Sequence, residues 1–171
     1  NICIVDVGCG LGYVIRWLAS KGSLPKGTKL VGLDFNPGLI RAAHFLALEE
    51  ELDCQFVLGD AFSIEYPNVI SISSGVLHHF APQELSSFFG RQSANKALAF
   101  VHFDIRQSWL APFGAGLFHY ARMRTRLARY DGTISALRAH PTELLLHEAQ
   151  KSAAEMSIYE LFNQFFSGFK R

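Results

Sequence analysis

Three glycines at alternate positions, Gly8, Gly10 and Gly12, stand between an apolar run over residues 2–7 and a helical pattern that begins at Tyr13. Alternate glycines let a backbone turn sharply and let a ligand approach the main chain closely. The helix that follows presents unpaired N–H groups and a partial positive charge, which suit a carboxylate or a phosphate. Strand, glycine turn and helix in that order belong to an α/β chain. Taken alone, the same turn is also compatible with nothing more than tight strand-to-helix packing.

The remainder of the chain repeats this alternation. Further apolar runs occur at 30–34, 54–58, 69–73 and 98–103. None alternates strictly, as expected of strands covered on both faces. Helical patterns lie between them, at 13–20 and at 37–51. The second has Asn36 as N-cap, Pro37 at its first position, and Leu39, Ala43 and Leu46 on one face. A third opens at Pro82 with Leu85, Phe88 and Phe89 as its apolar stripe. The repetition predicts a parallel sheet with right-handed crossovers. Residues 105–130 are rich in aromatics and arginines and are interrupted by Pro112, Gly114 and Gly116. Pro141 opens another helix, reaching about Ala154. The closing runs 158–162 and 165–170, separated only by Asn163 and Gln164, favour an antiparallel hairpin.

Composition narrows the classes. With 49% hydrophobic and 18% charged residues, the 171 residues suit one domain with a sizeable core rather than a disordered chain. A formal net charge of +1 leaves no overall electrostatic footprint for nucleic acid. No apolar run approaches the roughly 18 residues of a transmembrane helix. Cys3, Cys9 and Cys54 are odd in number and scattered, so the expected compartment is reducing, the cytoplasm. The sequence enters its first strand directly from Asn1 without an initiator Met, so a preceding segment, with any targeting peptide, is expected to be missing.

Acids mark the strand ends. Asp34 closes the second run, close to the roughly 20 positions beyond the glycine turn at which an acid accepts ribose hydroxyls in doubly wound folds. Its alternative role, capping the next helix, is already filled by Asn36. Phe35 beside it could pack on an adenine face. Gly59-Asp60-Ala61 closes the third run, where a carboxylate can accept from an exocyclic amine or simply make a polar turn. The glycine spacing is GxGxG rather than the GxGxxG of dinucleotide folds, and Asp6 precedes it. A carboxylate there would repel a pyrophosphate and suit an ammonium group. In an open parallel sheet the ligand crevice lies beyond these strand ends.

The stretches IVDVGCGLGYV (4–14), VGLDFNP (31–37), LGDAF (58–62) and ISISSGVLHHF (70–80) resemble the class I S-adenosylmethionine-dependent methyltransferases of small-molecule type. The resemblance is specific to about residue 104. Beyond that it rests on a fifth strand, a helix and the closing hairpin. It implies a Rossmann-like three-layer α/β sandwich, with a mostly parallel seven-stranded sheet in the order 3-2-1-4-5-7-6. It further implies S-adenosyl-L-methionine as cofactor, with S-adenosyl-L-homocysteine as product. By position, Asp6 and the turn Gly8, Cys9, Gly10 and Gly12 would hold the methionine amino and carboxylate ends. Asp34 would hold the ribose and Phe35 flank the adenine, while Asp60 and the Ala61 N–H read its edge. Ser74 and Gly75 would meet the methionyl portion. Two departures stand out. Asn68 occupies a place where the family often has Asp, and the helices that normally precede the first strand are absent.

His78 and His79 follow the fourth strand. His79 is the candidate catalytic residue, able to orient the acceptor or take its proton, against the plainer role of holding the loop. Adjacent histidines do not share a face, so no metal is expected. Ser73-Ser74-Gly75-Val76 replaces the Asn-Pro-Pro-Tyr type of sequence that marks amino-methylation of bases, which points to a small organic acceptor and away from nucleic acid. Residues 105–140, with Trp109, Phe113, Phe118 and Tyr120, are the expected substrate cover within the single domain 1–171. Arg122, Arg126 and Arg129, at i, i+4 and i+7, would share one helix face, for an anionic or lipid-like acceptor or merely for solvent. The expected activity is methyl transfer to a small organic acceptor by in-line displacement. One rival is an NAD(P)-binding Rossmann oxidoreductase, which leaves Asp6, the glycine spacing and Asp60 unexplained. The other is a non-catalytic S-adenosylmethionine-binding module.

Overall fold

The computed structural model describes residues 1–94, 97–122, 126–152, 155–160 and 166–170. Its elements run β1 (Cys3–Val7), α1 (Tyr13–Lys21), β2 (Lys29–Asp34), α2 (Pro37–Glu49), β3 (Gln55–Leu58) and β4 (Val69–Ser74). A 3-10 turn (Leu77–His79), α3 (Pro82–Ala94) and β5 (Ala99–Ile105) follow, then α4 (Ala111–Arg122), α5 (Arg126–Arg138), α6 (Thr142–Lys151), β6 (Ser157–Glu160) and β7 (Phe166–Lys170).

The strands form one sheet in the order β3-β2-β1-β4-β5-β7-β6. The first five in that order are parallel, while β7 runs antiparallel to both β5 and β6. This is the Rossmann-like arrangement expected. β1 lies between β2 and β4 and is buried along its whole length. Successive side chains of a strand point to opposite faces. Cys3, Val5 and Val7 therefore join one apolar layer with Leu85, Phe88 and Phe89 of α3 and Leu145 of α6. Ile4 joins the other, with Ile15 of α1, Ile40 and Ala43 of α2, and Phe56 of β3. Two covered faces explain why the strands read as unbroken apolar runs.

Helix starts follow the local chemistry. Asn36 Oδ1 accepts from the Gly38 N–H (2.9 Å) and the Leu39 N–H (3.3 Å), with Pro37 in the first turn. The buried face of α2 is Ile40, Ala43 and Ala47, however, with the expected Leu39 and Leu46 half-buried at its margins. At the start of α3, Glu84 Oε2 accepts from the Ala81 N–H at 2.7 Å, a reach-back contact of the capping-box kind.

The segment after β5 differs from expectation. Pro112, Gly114 and Gly116 do not interrupt it; all three lie inside α4, which packs against α5. Pro112 stands in the first turn, where its missing N–H costs nothing. Arg122 ends α4, whereas Arg126 and Arg129 belong to α5, so the three do not share a face of one helix. Their side chains, and that of Phe118, lie outside the described residues. α6 stops at Lys151, short of Ala154, and residues 153–154 are not described, nor is the Asn163-Gln164 link between the last two strands. Among the described residues no helix is long and apolar enough to cross a membrane.

Candidate cofactor and acceptor site

The C-terminal ends of β1 to β4 open on a cavity of about 790 Å³. One side carries the main chain of Gly8 and Gly10, the carboxylates of Asp34 and Asp60, and the ring of Phe35. The other carries Gly75, Val76, His79, Phe80 and Glu84.

The glycine turn is left-handed, with φ of 67° at Gly8 and 55° at Gly10. A β-carbon on Gly8 would come within 2.6 Å of Val76 Cγ2, so this glycine is required by packing as well as by φ. A β-carbon on Gly10 would meet no atom within 4 Å. Gly10 thus offers bare main chain to the cavity. Asp34 fixes the turn: its Oδ2 accepts from the Gly10 N–H (2.9 Å), and its Oδ1 from the Asn36 N–H (2.8 Å). One carboxylate ties the turn after β1 to the start of α2. Each oxygen keeps a lone pair for a ligand hydroxyl. Asp60 Oδ1 accepts from the Phe62 N–H at 2.9 Å, and its other oxygen remains for a donor.

Asp6 is buried on β1 and is not among the cavity-lining residues. Burial, with the neighbouring Asp34 carboxylate adding, pushes its carboxyl up to about 7. Cys9 packs into the layer beneath α1 and α2, and burial, then Asp6 and Asp34, push its thiol up to about 12, which leaves it inert as a nucleophile. Gly12 faces Phe56, Ala61 lines the cavity, and Ser74 is exposed at the end of β4 outside the lining. The Gly75 N–H donates to Phe103 O at 2.8 Å, joining β4 to β5 at the cavity edge.

The 3-10 turn is held from three sides. His78 is buried, with Nδ1 2.7 Å from Asp104 Oδ1, and its main-chain N–H donates to Asp104 Oδ2 at 3.1 Å. His140 Nε2–H donates to the carbonyls of Leu77 (3.2 Å) and Phe80 (3.1 Å). α5 packs against the same turn. His79, its ring centroid 4.2 Å from that of His78, is exposed and lines the cavity.

Residues 4–108 match the family described as a methyltransferase domain. The chain belongs to that family. The fold of this methyltransferase domain is shared with solved structures at low identity. A SAM-dependent methyltransferase from Aquifex aeolicus superposes with a TM-score of 0.71 at 11% identity, over 99% of this chain and 80% of that one. Magnesium protoporphyrin IX methyltransferase from Synechocystis, solved with SAH bound, gives 0.66 at 14%, over 99% and 73%. Human N-acetylserotonin methyltransferase, solved with SAM, gives 0.65 at 15%, over 98% and 46%. The chain spans about half (51%) of a further match from Nostoc punctiforme. No curated protein matches by sequence.

Of the residues that sequence singled out, the methyltransferase domain brings Gly8, Gly10, Asp34, Phe35, Asp60, Ala61, Gly75 and His79 to one cavity. Asp6, Cys9, Gly12 and Ser74 lie behind or beside it. The residues present fit a cationic nucleoside: the space is ample, one wall is bare main chain, and two carboxylates face the same volume. Asp104 and His140 went unrecognised in the sequence. Asp104 follows the rule that found Asp34 and Asp60, an acid near the end of a parallel strand. For His140 there was no local signal. Among the described residues no group of three His, Cys, Asp or Glu could hold a metal ion.

Proposed function

We propose that this domain transfers a methyl group from S-adenosyl-L-methionine to a small organic acceptor. The observation that carries the reading is the shared cavity of the Gly8–Gly10 turn, Asp34 and Asp60. The cofactor supplies an electrophilic methyl group on a positively charged sulfur. The chain's own residues bind and orient. Asp34 accepts from ribose hydroxyls while it holds Gly10 in place. Asp60 and the Ala61 N–H take the adenine edge, with Phe35 against its face. The main chain of Gly8 and Gly10 holds the amino-acid end, with Gly75 beside it, while Asp6, from behind the turn, acts on its ammonium group by charge alone.

On the acceptor side His79 orients the acceptor or receives its proton. His78, Asp104 and His140 position His79 by fixing the turn that carries it. Displacement in line depends mainly on such placement. Residues 105–140 cover this side, through the contact of α5 with the turn. The human N-acetylserotonin and Synechocystis magnesium protoporphyrin IX methyltransferases are both named for small organic acceptors, which supports the same class here. The three free cysteines support a cytoplasmic setting.

Isothermal titration with S-adenosylhomocysteine and with NAD is the test. Binding of S-adenosylhomocysteine in preference to NAD is expected, and the reverse order would sink the proposal in favour of an oxidoreductase. Retained binding with no methyl transfer to any acceptor pool would make the domain a non-catalytic binder.

A further inference from the structure

His78 and Asp104 are exposed by only 5% and 4%. Three N–H groups converge on the acid: His78 Nδ1 (2.7 Å) and the Ile105 main chain (2.7 Å) on Oδ1, and the His78 main chain (3.1 Å) on Oδ2. With a main-chain N–H on each oxygen the carboxylate accepts, so the proton of the histidine bond lies on Nδ1. Nε2 is then a bare lone pair. It is buried and has no hydrogen-bond partner among the described residues. A buried polar atom left in this state costs stability and calls for a reason.

The ring lies next to the cavity. Nδ1 points at β5, and Nε2 is on the other side of the imidazole. The Cε1 edge between them faces Gly75, a cavity residue whose added β-carbon would lie 3.8 Å from Cε1. The His79 ring, also on the cavity wall, lies against His78 with centroids 4.2 Å apart. A carboxylate that fixes an imidazole with its far nitrogen bare is the arrangement of a general base. A neutral hydroxyl needs one, because it gains nucleophilicity as its proton leaves. An amine or a thiolate attacks with an electron pair it already holds free. We propose that His78 Nε2 takes the proton of a hydroxyl acceptor, with Asp104 holding the imidazole in the required tautomer. The inference rests on the methyl-transfer reading of the cavity. In the step, a bond forms between the acceptor oxygen and the methyl carbon. The methyl–sulfur bond breaks with its electron pair left on sulfur, and the hydroxyl proton passes to Nε2. The imidazolium so formed faces the Asp104 carboxylate and then releases its proton to water. The exposed His79 ring turns aside to admit the hydroxyl, a rotamer change of nanoseconds or less, and keeps the task of orienting the acceptor.

Two measurements test it. The first is nitrogen NMR of the whole chain, labelled with nitrogen-15, with S-adenosylhomocysteine bound and phenol as the hydroxyl probe. His78 should show a protonated Nδ1 and a bare Nε2, and the Nε2 signal should move toward its hydrogen-bonded position as phenol is added. Asp104→Asn should mix the two tautomers and reduce that movement. The second compares methylation of phenol with methylation of iodide, which has no proton to lose, in the presence of S-adenosyl-L-methionine. His78→Gln should lower the phenol rate about a hundredfold more than the iodide rate. A bare Nδ1, or an Nε2 signal that phenol leaves in place, would overturn the assignment on the wild-type chain alone, whatever the variant does to folding. Equal loss on both acceptors in a folded His78→Gln chain would reduce His78 to a structural residue. A selective loss of phenol methylation in His79→Gln and not in His78→Gln would move the base to His79, and methylation of iodide but not of phenol would leave no base to assign. Failure to bind S-adenosylhomocysteine, or to methylate either acceptor, would instead remove the methyl-transfer reading, and this inference with it.

Discussion

Asp34 carries two main-chain hydrogen bonds before any ligand arrives, and this shapes what its replacement should do. Asp34→Asn keeps the size but turns one acceptor into a donor facing either the Gly10 or the Asn36 N–H. We expect a stability loss of about 1–3 kcal/mol by denaturant titration, and a fall of at least about tenfold in S-adenosylhomocysteine affinity. Gly8 and Gly10 should separate cleanly. Gly8→Ala meets Val76 and should unfold the domain at lower temperature. Gly10→Ala has room, so its fold should survive with about 1–2 kcal/mol of backbone strain while calorimetric ligand binding weakens. Asp6 adds a pH dependence. Its carboxyl titrates at about 7, and only the ionised form attracts an ammonium group. Affinity for S-adenosylhomocysteine should therefore rise by about tenfold between about pH 6 and about pH 8, and Asp6→Asn should abolish the rise.

Among the elements, the N-cap of α2 and the turn before α3 give the plainest tests. Asn36→Ala removes the acceptor for two N–H groups and should cost about 1 kcal/mol of stability. Asp104→Asn loosens the Leu77–His79 turn from β5. Since Asp104 does not line the cavity, kcat should fall more than S-adenosylhomocysteine affinity. The parallel strands, the Asn36 cap and the glycine turn were legible in sequence because each depends on neighbours a few residues away. The α4–α5 pair was not. Pro112, Gly114 and Gly116 carry breaker chemistry, yet the first turn accepts the proline and packing against α5 overrides the glycines. The contact of His78 with Asp104 was equally hidden, because it joins the turn after β4 to the end of β5, which only the sheet brings together. Of the eight cavity residues found in advance, Gly8, Gly10, Asp34, Phe35 and Asp60 came from reading strand ends jointly, while the roles of Ala61, Gly75 and His79 came from the family resemblance; Asp6 showed that a shared motif does not guarantee a shared surface.

Two buried groups set opposing pH dependences for the domain as a whole. His102 is enclosed between Ser73 Oγ (2.8 Å) and Gln92 Oε1 (2.9 Å), and burial holds it down at about 3. Its folded value lies below the unfolded one, so its contribution is present above about pH 6.5 and is lost as pH falls toward 3. Asp6 is raised, so its contribution is present below about pH 3.8 and is lost as pH rises to about 7. Between those limits the two slopes cancel. Asp6→Asn should expose the histidine slope, with denaturant-derived stability rising by about 1.4 kcal/mol per pH unit across that interval.

The pairing of β5 with β7 has a consequence for how the molecule is made. β5 is finished long before its neighbour leaves the ribosome, since α4, α5, α6 and β6 are all synthesised in between. Until β7 arrives, β5 presents an unsatisfied row of amides and carbonyls beside a nearly complete sheet. A nascent chain at that stage is therefore at its stickiest, and slow translation through the codons that separate β5 from β7 would lengthen its exposure to aggregation and its need for a chaperone.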